Sequence, residues 1–101
     1  MAGQLSFADF LSSTAGTATP GLSPALQALW HDARADWDQA HTLAQAAGGA
    51  DGAWVHAYLH RKEGDEGNAA YWYRRAGQPV ASGDLRAEWE RIARALLADR
   101  R

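Results

Sequence analysis

The sequence predicts an all-α domain, and three observations carry that expectation. Alanine makes up 23 of the 101 residues, β-branched aliphatic residues number only three (Val55, Val80, Ile92), and apolar positions recur at helical rather than alternating spacing. Alanine is the best helix former, while a sheet core draws on the valine and isoleucine that this chain lacks. Five tryptophans, three tyrosines and two phenylalanines must then supply much of the core volume. A chain of this length is expected to form one domain with a radius of gyration of roughly 13 Å.

The elements follow from local signals, and about five helices are expected. Leu5, Phe7, Ala8 and Leu11 have helical spacing before the small polar stretch SSTAGTATPG, which predicts a short helix over 5–12 and a linker through Gly21. Residues 1–22 are thus set apart from a domain spanning 23–101. Ser23-Pro24 is a start signal, because serine caps free amides and proline suits the first turn. A helix is expected to begin there, and further breaks are expected at GGADG (48–52) and GDEG (64–67). After GQPVASGD, the stripe Leu85, Trp89, Ile92, Ala93, Leu96 and Leu97 predicts a long amphipathic helix over 84–99 capped by Asp84.

Sliding the sequence by 29 residues pairs Ala28 with Ala57, His31 with His60, Asp36 with Asp65, Ala40 with Ala69, Ala47 with Ala76 and Gly48 with Gly77. Each copy reads as helix, tight turn, helix, with small residues where two helices must approach closely. Trp54, Tyr58, Gly64, Asp65, Ala69 and Ala76, followed by YWYRRAG, make the second copy resemble tetratricopeptide and Sel1-like repeats. The first copy matches through Ala28, Ala35, Asp36, Ala40 and Ala47. About half the chain is covered, with a period shorter than the usual ~34 residues of tetratricopeptide repeats. The resemblance implies two helical hairpins, with first helices over 24–34 and 53–63 and second helices over 37–47 and 67–76, closed by the last helix. The stretch from Leu29 to Gly77 also resembles a group of small bacterial proteins that carry no assigned activity, so it implies nothing about chemistry.

Charge and composition exclude several functions. A formal net charge of −2 offers no footprint for nucleic acid or an anionic membrane. Without cysteine there are no disulfides, thiol nucleophiles or thiolate metal ligands. The start MAGQLSFADFLSS lacks a leader's basic residues, and no run of about 18 apolar residues occurs, so a cytoplasmic chain without membrane contact is expected. GGADG lacks a P-loop lysine, and Ser12, Ser13 and Thr14 have no evident triad partners.

Two functional readings remain. The first is a helical-repeat module for protein–protein contact or self-association, with Trp54, Tyr58, Arg61 and Lys62 as anchors on the face that lines the groove in the resembling repeats. A homodimer fits this reading, since two repeats bury little surface for their length. Against it, two repeats are few for a groove, and the last helix could fold back over that face. The second reading is a His-lined pocket formed by His31, His56 and His60, with Glu63 and Gln27 nearby. His56, His60 and Glu63 form an H-x3-H-x2-E stripe along one helix face. Imidazoles four residues apart suit a metal ion or acid–base chemistry, although HExxH's glutamate is missing. The same histidines would also serve as hydrogen-bonded interior polar groups; no cofactor is expected, with a metal ion as the alternative. His41 reads as a surface or groove-edge residue near Asp38. Tyr71, Trp72 and Tyr73 point about 100° apart on a helix, so they read as packing residues rather than a base-stacking platform.

Overall fold

A computed structural model describes residues 5–16 and 21–98. Among these there are six helices and no strand: α1 (Phe7–Ser13), α2 (Pro24–Ala33), α3 (Trp37–Ala47), α4 (Gly49–Lys62), α5 (Glu66–Ala76) and α6 (Leu85–Ala98). The all-α expectation holds, with six helices where about five were expected. Part of the expected linker, residues 17–20, and the end of the expected last helix, residue 99, lie outside the described residues.

Five helices start on a side chain that accepts an otherwise unpaired first-turn amide. Ser6 accepts from the Asp9 amide, Ser23 from Leu26, Asp36 from Gln39, Asp65 from Asn68 and Asp84 from Ala87. The exception is α4, which begins on Gly48 with no side-chain cap. Its start corrects the expected break at 48–52. The turn is confined to Gly48 and Gly49, whose φ values of 67° and 64° suit glycine, and the helix runs on through Ala50, Asp51 and Gly52. Gly52 is required by close approach: a Cβ there would lie 2.9 Å from the Ala44 carbonyl oxygen of α3. Packing against α3 thus overrides the roughly 1 kcal/mol that glycine costs inside a helix.

The turn from α2 to α3 and the turn from α4 to α5 make corresponding hydrogen bonds. The amides of Asp36 and Asp65 donate to the carbonyls of His31 and His60, and those of Ala40 and Ala69 to Asp36 and Asp65. Corresponding turn positions hold Ala35 with φ 65° and Gly64 with φ 92°. The left-handed conformation penalises a Cβ, so Ala35→Gly is expected to stabilise the domain by about 0.5–1 kcal/mol in urea unfolding, whereas Gly64→Ala should destabilise it.

α2 packs on α3, α3 on α4 and α4 on α5, while α6 lies against α1, α2 and α4. Phe10, Leu26, Leu29, Val55, Leu59, Trp89 and Ile92 are fully or almost fully buried in the main core. The α1 segment belongs to this core, since Phe10 stacks on Trp89 at 5.7 Å. Buried tryptophans need a partner for the indole N–H, and here those partners tie the helices together. Trp89 donates to the Leu29 carbonyl, Trp30 to the Ser13 hydroxyl and Trp37 to the Leu59 carbonyl. The radius of gyration is 12.6 Å, in line with the expectation from length.

Candidate metal centre

Three histidines converge where α3 meets α4. His56 and His60 lie four residues apart on α4 and so share a face, and His41 meets them from α3. One ring nitrogen from each lies within 4.8 Å of those of the other two. The ring centroids are 4.6 Å apart for His41 and His56, 5.2 Å for His41 and His60, and 4.8 Å for His56 and His60. Aromatic neighbours fix the rings from outside: His41 stacks on Trp37 at 4.8 Å and His56 on Trp72 at 4.0 Å. Glu63, one turn after His60, places a carboxylate oxygen 2.7 Å from His60 Nδ1. With Nδ1–H donating to Glu63, the Nε2 lone pair of His60 is left for another partner.

The electrostatics disfavour the charged form of His41 and of His56. Burial, followed by the charges of His41 and His60, holds the His56 pKa down to about 4. Burial and then His60 lower that of His41, with Glu63 and Asp38 opposing. At neutral pH both rings therefore carry no charge, which is the form a metal ion requires. Since the folded-state value of His56 lies below its ordinary 6.5, the unfolded chain binds the extra proton between about pH 6.5 and 4. Stability in chelator is expected to fall across that window by about 2–3 kcal/mol from this group. Urea unfolding at stepped pH would show the loss, and His56→Gln should flatten it.

The structure redraws the predicted site. His56, His60 and Glu63 stand together as expected, but the third imidazole is His41 and not His31. His31 is half-buried on α2, edge-on to Trp30, and is not a member of the trio. The reason is packing: α4 meets α3 through the face that carries His41, whereas His31 on α2 lies against Trp30. Gln27 is engaged through its amide nitrogen with the Leu22 carbonyl at 2.8 Å. His60, Glu63 and Asp65 form a second close group, with both carboxylates exposed.

The four expected partner anchors are engaged inside the domain. Tyr58 is buried and donates to Asp32 at 3.0 Å. Lys62 pairs with the same buried carboxylate at 2.8 Å. Arg61 pairs with Glu88 of α6 at 2.7 Å and donates to the Gly83 carbonyl. Trp54 is partly buried and packs against both core clusters. Burial first, then the charge of Asp32, pushes the Tyr58 hydroxyl well above its ordinary pKa.

Sequence reasoning missed His41 as a member of the site. The available signal was the pair Trp37 and His41, which puts an aromatic ring and an imidazole on one helix face four residues apart. Tyr71 remains exposed and Tyr73 is buried, as successive aromatics on a helix must diverge. Comparison with protein-family models finds no matching family, and comparison with curated proteins and with solved structures finds no match.

Proposed function

We propose that this protein binds one divalent transition-metal ion of the zinc class through His41, His56 and His60. The observation that carries the reading is the convergence of three imidazoles at the α3–α4 contact, two of them buried. An all-imidazole set suits zinc, copper, nickel or iron, and disfavours magnesium and calcium, which prefer oxygen ligands. Zinc bonds nitrogen at about 2.0–2.1 Å, so binding draws the three nitrogens closer by modest ring rotations. Glu63 supplies the outer carboxylate that commonly orients a ligating histidine. Three protein ligands leave a fourth position for water or a substrate, the pattern of catalytic rather than structural zinc sites.

Calorimetric titration of the chelator-treated chain with Zn²⁺ tests this. One ion per chain is expected, with binding lost in His41→Ala while the helical circular dichroism persists. A wild-type chain that takes up no zinc at micromolar concentrations, or a His41→Ala variant that binds as the wild type does, would overturn the reading.

Architecturally, we read α2–α3 and α4–α5 as two tetratricopeptide- or Sel1-like copies, a reading supported by their corresponding turn hydrogen bonds. The metal site then sits at the junction of the two copies. Protein contact through Trp54, Tyr58, Arg61 and Lys62 has less support, since their polar atoms already serve α2 and α6 or, for Trp54, the ring packs on the core.

A further inference from the structure

A second feature lies beside the histidine trio. Between the end of α3, the first turn of α4 and the middle of α5 there is a cavity of about 350 Å³, lined among others by Gln45, Gly48, Gly49, His56, Trp72 and Arg75. That volume is at the small end of the range for ligand sites. Three properties of its wall point to one kind of occupant.

The α4 amino terminus is uncapped: no side chain accepts from its first turn, and the amides of Gly49, Ala50 and Asp51 donate to nothing among the described residues. Such amides, with the helix dipole behind them, favour a negative charge. Arg75 has no carboxylate partner among the described residues. Its guanidinium lies 5.3 Å from the Trp72 ring and donates once, to the Tyr71 hydroxyl at 3.1 Å, leaving further donors. His56 is only 3% exposed, yet its ring nitrogens have no hydrogen-bond partner among the described residues. A buried polar group without a partner is costly, and the cavity is the place where one would be met. No lining residue is acidic; Asp51, in the same turn, lines the cavities on the other flanks of α4.

We propose that this cavity binds a small oxyanion, a phosphate or carboxylate group, held by Arg75 and the first-turn amides of α4 with His56 at its inner wall. The site does not depend on a metal, because an imidazole has two nitrogens and the anion needs only one of them. Gly48 and Gly49 let the backbone turn so that the amides are presented without side chains over them; nothing lies within 4 Å of where their Cβ atoms would be.

The test is amide NMR of the chelator-treated full chain, titrated with inorganic phosphate and separately with acetate at constant ionic strength. Saturable shifts are expected at the Gly49 and Ala50 amides and the Trp72 indole, and the tighter anion assigns the headgroup. Arg75→Gln, at an exposed position, should weaken that binding at least ten-fold, and Arg74→Gln, its exposed neighbour, should leave it unchanged. Absence of saturable shifts with both anions would overturn the proposal, as would equal weakening by the two variants or none by Arg75→Gln. A His41→Ala chain that has lost zinc should bind the anion as before, so failure of the metal reading and failure of this one are separable.

Discussion

Glu88→Ala is expected to cost about 3–5 kcal/mol of stability. Glu88 is 1% exposed on α6, and its carboxylate accepts from Arg61 Nη1 of α4 at 2.7 Å and from the Tyr73 hydroxyl of α5. Removing it strands a largely buried guanidinium and a buried hydroxyl in the space between three helices. Burial first, then the hydrogen bond to Glu88, already raises the Tyr73 pKa above its ordinary value, so the ring cannot supply the missing negative charge at neutral pH. Glu88→Gln preserves shape and an acceptor, and should cost less, about 1–3 kcal/mol. Single domains are stable by only about 5–15 kcal/mol, so the alanine variant should lose a large share of its stability. Urea unfolding of the two variants measures the difference. A loss below about 1 kcal/mol for alanine would mean that Arg61 and Tyr73 find water instead.

Zinc at a hundred times its dissociation constant is expected to stabilise the chain by about 2.7 kcal/mol, because it binds the folded state alone. For a domain of this size each kcal/mol raises Tm by about 4–8 °C, so an increase of roughly 10–20 °C should be seen. Glu63→Gln probes the orienting carboxylate. Glu63 is well exposed, with a side chain 39% accessible, so the fold should be preserved, while zinc affinity falls about 10- to 100-fold. Calorimetry of the variant checks this, and unchanged affinity would show that Glu63 does not orient His60. Because protons compete for the same nitrogens, zinc binding should also weaken as the pH falls toward the lowered His56 value of about 4.

Much of the fold was legible because its signals are local. Ser23-Pro24, Asp36, Asp65 and Asp84 cap helices where their side-chain chemistry says they should, and Trp89, Ile92, Ala93, Leu96 and Leu97 are buried along one stripe of α6. GGADG misled because a glycine-rich run signals a break only when no neighbouring helix requires the missing Cβ. At Gly52 the Ala44 carbonyl requires it. The candidate site was half legible for a similar reason. The α4 stripe of His56, His60 and Glu63 is set by helical periodicity within one element. The third imidazole depends on which face of α3 meets α4; Trp37 and His41 mark one face of α3, but nothing within that helix says which element it meets. The 29-residue shift pointed to His31, but which helix faces meet is decided by packing between elements and not by that pairing. Tyr58, Arg61 and Lys62 were legible as a face, and the last helix was weighed as its cover, but the carboxylates that engage the face were not legible. These are Asp32 and Glu88, two buried carboxylates that nothing in their own helices marks as partners for α4.

The central claim is that His41, His56 and His60 act as one metal site. Nitrogen-15 NMR of all four imidazoles, recorded without metal, with one equivalent of Zn²⁺ and after chelator, tests it most directly. The expected result is that one ring nitrogen in each of His41, His56 and His60 shifts together on zinc addition and returns with chelator, while His31 stays unmoved. Zinc-dependent shifts at His31, or none at the three clustered rings, would contradict it.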